Sequence, residues 1–203
     1  MARSGAEHGH YSKTPAQRAR ILDAAMAVFA LRGERGTSLR EIAERVGMSQ
    51  AGLLHHFGSK SDLLLAVLDR FEQQEQPAEP LSTLAESIDF VRGELARGLH
   101  RPGLFQLQAM LAAEATDPEH PAHTFFADRY QRVTRQFEET LRTAADEGAA
   151  LPEGVDISAL AHLVIAAMDG LQLQRLLNDE VDVLASFDLL VQALTSRHDA
   201  RDR

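Results

Sequence analysis

The chain reads as an all-α protein, with a small N-terminal helical unit followed by a larger helical one. Three observations carry that expectation. Helical periodicity is nearly continuous, strand signals are almost absent, and Pro, Gly, Asn and Asp punctuate the apolar runs. Strict apolar–polar alternation is never sustained, and no hairpin dipeptide stands between β-branched runs.

A first helix is expected over 15–32, with Thr14 as its cap and Pro15 in its first turn. Ile21, Leu22, Ala25, Val28 and Phe29 make its apolar stripe, and Gly33 ends it. Ser38-x-x-Glu41 has the pattern of a capping box and opens a second helix. A third spans 49–57 and is broken by Gly58. A fourth begins after Ser59, whose partner Asp62 lies three residues on, and runs through Leu68 and Phe71 to about residue 76. The stretch "QPAEP", 76–80, then interrupts the chain. Beyond it, helices are expected at 81–98, 103–115, 119–148, 156–177 and 179–197. The breaks between them are Arg101-Pro102-Gly103, Asp117-Pro118, Leu151-Pro152-Glu153-Gly154 and Asn178-Asp179. The chain thus divides into a first unit, 1–58, whose residues 1–13 form a disordered tail, a coupling helix, 59–76, and a second unit, 81–203.

Hydrophobic residues at 44% and charged residues at 25% of 203 are ordinary for a soluble globular protein. The absence of cysteine removes disulfides, thiolate metal sites and cysteine nucleophiles. The N-terminus lacks the apolar core of a signal peptide, and the least polar stretch, 157–168, is too short to span a bilayer. A soluble cytoplasmic protein without membrane contact is the expectation. No Gly-rich phosphate loop and no nucleophile elbow is present, so neither catalysis nor a cofactor is expected. Charge is unevenly spread: residues 1–60 hold nine Lys/Arg against five Asp/Glu, net +4, and the remainder holds 12 against 25, net −13. A basic segment on an acidic body points to a polyanion contact made by the first unit alone.

Two helices joined by a tight turn need a small residue where they touch and an apolar clamp around it. In "SLREIAERVGMSQAGLLHHFGSKSDLL" Ala43 is the small residue, and Gly47 suits a left-handed turn. Ile42, Val46, Met48 and Leu53 supply the clamp. This is helix-turn-helix spacing, in which the second helix enters the DNA major groove. An ordinary αα-hairpin uses the same residue types, so the outer face of the second helix matters. At about 100° per residue, Leu53 and Phe57 face inward together. Ala51, Gly52 and His55 lie opposite, flanked by Leu54 and His56. That strip is small, uncharged and hydrogen-bonding, where a solvated helix would carry Lys and Glu. No carboxylate stands on it to repel a phosphate backbone.

Residues 14–70 resemble the N-terminal domain of the tetracycline-repressor (TetR) family of bacterial regulators. The likeness rests on helix, Gly, Ser-x-Arg-x-Ile-Ala, Gly-x-Ser, a helix ending His-Phe, then Ser-Lys and Leu-Leu. The rest resembles the family more loosely, through its helical layout and "MDGLQLQRLL". The resemblance implies a homodimer that binds operator double-stranded DNA and is released by a small-molecule effector held in the C-terminal unit. It further implies that Ser38 caps the second helix and touches phosphate, and that Arg40 reaches a phosphate or base. Ser49, Gln50, Ala51, Gly52, Leu54, His55 and His56 would face DNA, and Lys60 would bind phosphate beside a helix N-terminus. Leu54 stands where the family commonly has Tyr, and Gly52 where Thr or Ser is usual. Base reading is then expected to lean on Arg40, Gln50 and His55, with Leu54 against a thymine methyl.

For the effector, the expected contacts are Leu68 and Phe71 on the coupling helix, facing Phe105, Met110, Phe126, His162 and Met168. An apolar ligand with one hydrogen-bonding group would anchor on His162 or Gln106. The acidic body also admits a cationic effector. The last two helices are apolar over more than one stripe, so a twofold four-helix interface is expected, using Leu160, Val164, Gly170, Leu171, Leu184, Phe187 and Val191. His120 and His123, near Asp117 and Glu119, have ligand spacing but sit at a helix start. A solvated surface pair is expected there, and no metal.

Overall fold

A computed structural model describes residues 15–75, 77, 81, 83–148, 151 and 154–195. Among them the regular elements are nine α-helices: α1 (Pro15–Gly36), α2 (Leu39–Val46), α3 (Gln50–Phe57), α4 (Lys60–Glu75), α5 (Leu84–Leu99), α6 (Pro102–Glu114), α7 (His123–Asp146), α8 (Ile157–Leu177) and α9 (Val183–Thr195). The expected Thr14 cap, the 1–13 tail and the end of the last helix beyond 195 lie outside the described residues.

Gly33, expected to end the first helix, instead kinks it at φ 66° and ψ 177°, and one further turn follows. Ser38 caps α2 by accepting from the Glu41 N–H at 3.2 Å. The reciprocal half of the expected capping box gives way to an ion pair, because the Glu41 carboxylate turns to Arg32 at 3.2 Å. A full capping box forms where it was not expected, between Thr83 and Glu86 at the start of α5.

Two helix starts differ from the sequence reading. α7 begins at His123 and not 119, since side chains in the preceding segment bind the backbone locally. Asp117 Oδ1 accepts from the Glu119 N–H at 3.0 Å, and His120 Nδ1 accepts from the Ala122 N–H at 3.2 Å. α9 begins at Val183 and not 179, because Asp182 takes the capping role, accepting from the Ala185 N–H at 2.9 Å.

The main core joins the two expected units and does not stop at their boundary. Ile21, Val28, Phe29, Ile42, Leu53, Phe57 and Leu64 pack with Leu107 and Leu111 of α6 and with Phe126 of α7. The α1–α6 approach is close enough that a Cβ on Gly103 would lie 2.7 Å from the Ala30 carbonyl oxygen, so only glycine fits there. Two smaller cores hold the rest: Val91, Leu95, Val183 and Phe187 between α5 and α9, and Leu141, Leu160 and Ala161 between α7 and α8. Ion pairs staple helices across the surface, Arg70–Asp23 at 2.8 Å and Arg92–Asp188 at 2.9 Å.

The apolar stretch expected at 157–168 is the first part of the longer helix α8. At 21 residues that helix is long and apolar enough to span a bilayer, by length and composition. Its apolar residues serve two faces: Leu160, Ala161 and Ile165 are buried, whereas Leu163, Leu173 and Leu177 are exposed.

Candidate functional site

The α2–α3 turn is fixed by three local devices. Gly47 adopts φ 74° and ψ 36°, the left-handed region that side chains avoid, and its N–H and that of Met48 close on the Glu44 and Ala43 carbonyls. Ser49 caps α3, accepting from the Gly52 N–H at 3.0 Å. A Cβ on Gly52 would stand 3.3 Å from that Ser49 Oγ, so the missing side chain leaves the cap undisturbed. Leu53 and Phe57 then anchor the helix, both buried.

With its inner face locked, α3 turns Gln50, Ala51 and His55 fully outward, while Gly52, Leu54 and His56 are half-buried. Ser38 and Arg40 are also exposed, at the start of α2, and Ser49 stands exposed before α3. The expected DNA-facing positions of α2, α3 and the turn between them are thus all exposed or half-buried. Cations surround them, each with a protein partner. Arg40 donates through Nε to Glu44 at 2.7 Å, and this hydrogen bond, reinforced by the carboxylate's charge, raises its pKa. Lys60 donates to the Glu34 backbone carbonyl, which leaves the ammonium two further donors beside the α4 N-terminus. Ser59 and Asp62 close that terminus, hydroxyl to carboxylate at 2.7 Å and N–H to hydroxyl at 3.0 Å.

Arg18 was missed by sequence reasoning. Its Nη1 donates to the His56 carbonyl at 3.2 Å and its guanidinium lies 4.3 Å from the Phe57 ring centroid. It places positive charge at the C-terminus of α3, where the helix dipole favours it. Its place in the α1 pattern reads as plain surface, so no local signal announced it.

A cavity of about 670 Å³ lies among α4, α5, α6, α7 and α8. That is within the range of roughly 300–1,000 Å³ usual for small-molecule sites. Phe90, Phe105, Phe126, Phe137, Ile165 and Met168 make its apolar wall. Its polar groups come from α7 and its neighbours: Gln108, Tyr130, Gln136, Asp169 and Gln172, with a Glu72–Arg132 ion pair at the α4 end. Tyr130 donates to Asp169 Oδ2 at 2.8 Å. Burial first, then that hydrogen bond, pushes the phenol up to about 12, so it stays a donor at neutral pH. Ser87, also on the wall, is 6% exposed, and its Oγ has no partner among the described residues.

Of the eight expected effector contacts, Phe105, Phe126 and Met168 line this cavity. Leu68 and Phe71 are buried at 2% and 4% but lie off its wall, and the next residue, Glu72, reaches it instead. Gln106 and Met110 face solvent from α6. His162 is exposed as well, its Nδ1 2.8 Å from the Ser158 carbonyl of its own helix. The expected dimer residues divide similarly. Leu160 and Phe187 are spent on the chain's own cores, and Val164, Leu171, Leu184 and Val191 pack against them. The outward stripe of α8 is Leu163, Ala166, Gly170, Leu173 and Leu177, with Ala185 and Leu189 exposed on α9.

Glu34, Glu114 and His120 bring ligand atoms within 4.8 Å of one another where α1 meets α6. The ring's Nδ1 accepts from the Ala122 N–H, which leaves the proton on Nε2, facing the carboxylates at 3.8 and 3.9 Å. At those distances the contact is electrostatic and no hydrogen bond forms, and a proton on Nε2 opposes metal ligation. His123 Nδ1 is engaged 2.8 Å from the Ala115 carbonyl.

Two family models match, "Bacterial regulatory proteins, tetR family" over residues 21–67 and "BetI-type transcriptional repressor, C-terminal" over residues 107–198. The HTH-type transcriptional regulator SrpR of Pseudomonas putida is 28% identical over 141 residues, 69% of this chain and 66% of that protein. Across SrpR and the KstR2 repressors of Rhodococcus jostii and Mycobacterium tuberculosis, the matched part is between 52% and 66% of the relative's length. Among solved structures, a TetR-family regulator from Rhodococcus sp. shares the fold with a TM-score of 0.75 at 20% identity, covering 90% of this chain and all of that one. A transcriptional regulator from Saccharomonospora viridis, solved in complex with choline, gives a TM-score of 0.70 at 25% identity, covering 91% of this chain and all of that one. With the α2–α3 geometry and a match at each end, the chain belongs to the TetR family of bacterial regulatory proteins.

Proposed function

We propose that the chain is a homodimeric transcriptional repressor that reads operator DNA in the bacterial cytoplasm through α3 and is released by a small molecule in the α4–α8 cavity. It acts by binding and not by catalysis. The observation that carries the DNA reading is the uncharged outer face of α3, set among Arg18, Arg40 and Lys60 and held by buried Leu53 and Phe57. Such a face admits base edges and sugar–phosphate backbone closely, while the cations supply the sequence-independent attraction. Two copies joined along the exposed α8 stripe would set two such helices roughly 34–36 Å apart, one turn of DNA.

The effector reading rests on shared residues. Phe126 and Ala112 line the cavity and also belong to, or pack on, the core that holds α1 to α4. A ligand that shifts α6 or α7 therefore shifts the packing beneath α3. Releasing DNA 100-fold requires about 2.8 kcal/mol of differential affinity between two conformations. At about 25 cal/mol per Å², roughly 110 Å² of extra apolar burial supplies it. The apolar wall fits an apolar body, and Asp169 with Tyr130 fits a cationic or hydrogen-bonding end. The choline complex of the Saccharomonospora regulator supports a cationic occupant.

Fluorescence anisotropy on labelled duplexes across a salt series is the test. With on the order of six to ten phosphates neutralised, affinity falls about 10³–10⁵-fold between 50 and 200 mM salt. A flat salt response on every duplex tried removes the DNA-binding reading.

A further inference from the structure

We propose that the cavity continues into a narrow apolar arm among α5, α7, α8 and α9, and that the effector is a linear amphiphile whose hydrocarbon end fills it. This rests on the reading above, in which the cavity holds the effector, and gives that effector a chemical class.

The arm is a space of about 50 Å³ bounded by Leu84, Ile88, Leu141, Leu160, Val164 and Leu190. Ser87, Val91, Phe137 and Thr140 line both this space and the 670 Å³ cavity. A single layer of side chains therefore divides the two. Packing explains why the space exists. The α5–α9 and α7–α8 interiors form two separate cores, and Phe137 packs against both. Val91 and Phe187 of one core and Leu141 and Leu160 of the other face the arm, which lies where the cores fail to merge. Protein interiors are normally close-packed, so the walls of such a space forgo contacts that an apolar guest restores.

The dividing layer is free to part. Val91 and Phe137 belong to one apolar cluster, and apolar contact imposes no directional bond. Ser87 is 6% exposed, its N–H is spent on the Thr83 carbonyl at 3.1 Å, and its Oγ meets no partner among the described residues. That hydroxyl thus ties nothing across the divide. In the filled site the Phe137 side chain turns aside and the two spaces join.

Length and polarity then set the shape of the occupant. Tyr130 hydrogen-bonds Asp169, and further along the same two helices Leu141 clusters with Leu160. The site is therefore polar toward the first pair and apolar toward the second. From Tyr130 to Thr140, α7 advances about 15 Å along its axis. At about 3.5 Å per three chain bonds, that distance takes an extended chain of on the order of a dozen atoms. The arm itself has room for about four water-sized groups, so it takes the last few methylenes. The hydrogen-bonding end of the amphiphile lies at Tyr130 and Asp169.

Calorimetric titration of the full chain with primary alcohols, from 1-hexanol to 1-dodecanol, and with cyclododecanol is the test. The cyclic alcohol has the hydroxyl and carbon count of 1-dodecanol but no free chain end. Wild-type affinity should rise about fourfold per added methylene, and 1-dodecanol should bind about tenfold or more tighter than cyclododecanol. Ile88→Phe fills the arm from α5 and Leu190→Phe from α9, and neither residue lines the larger cavity. Circular dichroism checks that each variant stays helical. In both, 1-hexanol, too short to span from Tyr130 to the arm, should bind as in the wild type. 1-Dodecanol should lose on the order of 10²-fold, about four methylenes at fourfold each. The linear-against-cyclic comparison in the wild type decides the matter even where a variant fails to fold. Filled variants that keep the full gain from long chains overturn the proposal, as does a wild type that binds both dodecanols alike. Hexanol binding without any gain from longer chains sinks the arm alone. A wild type that binds no alcohol of either shape sinks the cavity reading with it.

Discussion

Two helices of this chain present uncharged faces to solvent, and they differ in almost every other respect. α3 is eight residues long and shows Gln50, Ala51 and His55, small or hydrogen-bonding, with cations around them. α8 is 21 residues long and shows Leu163, Leu173 and Leu177 in an acidic unit. The absence of charge has opposite meanings in the two places. On α3 it permits close approach to a polar, negatively charged groove whose base edges must be reached. On α8 the leucines offer no hydrogen bond, and an exposed stripe of this regularity suits an equally apolar partner. Hydrogen-bonding capacity and neighbouring charge, and not hydropathy alone, separate a nucleic-acid face from a protein face.

That comparison breaks most visibly if the apolar face is removed. The Leu163→Glu, Leu177→Glu pair should weaken operator binding by about 10²–10⁴-fold, because two linked recognition helices become two separate ones. An electrophoretic mobility shift across protein concentration measures it. A loss below threefold would mean that α3 reads DNA without help from α8.

The next effects lie on α3 itself. His55→Ala should relax preference among operator variants by about 1–3 kcal/mol at one base position, while Lys60→Ala weakens all sequences alike. Competition assays with point-substituted duplexes separate the two patterns. A smaller effect of opposite sign comes from Glu44→Gln. Arg40 is held by that carboxylate in the free protein, so releasing it should strengthen DNA binding a few-fold and steepen the salt dependence. Unchanged affinity would show that Arg40 stays off the DNA.

The smallest effect concerns the α7–α8 border. Folding raises the Tyr130 phenol from its ordinary value to about 12, so the protonated form is the one the fold favours. Its contribution is fully present below the unfolded value near 10 and is lost as pH rises toward 12. Thermal melting should therefore fall more steeply over that window in the wild type than in Tyr130→Phe. Parallel curves would mean that folding leaves the Tyr130 phenol at its ordinary value.

Legibility in the sequence follows the range of the forces. The Ser38 cap, the Gly47 turn, the Ser49 cap and the inward pair Leu53 and Phe57 all act within four residues, so residue types and spacing alone lay out α2 and α3. Where two local rules competed, boundaries moved, as when Asp117 and His120 bound the backbone ahead of α7. The cavity depended on packing between distant helices. Tyr130, Arg132 and Gln136 of α7 have the composition of a solvated face, and only the arrival of α4, α5 and α8 turns them into a wall. His162 misled for the same reason: its apolar neighbourhood in sequence suggested the cavity, whereas the fold leaves it exposed on α8 beside the Ser158 carbonyl of its own helix. The apolar surplus of α8 and α9 was visible, yet which residues were surplus was settled by the cores that claimed Leu160 and Phe187.

The most direct test of the account is selection from random duplexes by the wild-type chain, with His55→Ala and the charged α8 pair selected in parallel. The wild type should enrich an inverted repeat whose half-sites are centred about 10–10.5 base pairs, or a multiple of that, apart. His55→Ala should enrich the same spacing with at least one base position relaxed, and the α8 pair should lose the repeat. Enrichment of no motif, or of an asymmetric one unchanged by either variant, would contradict the claim that a symmetric dimer reads DNA through α3.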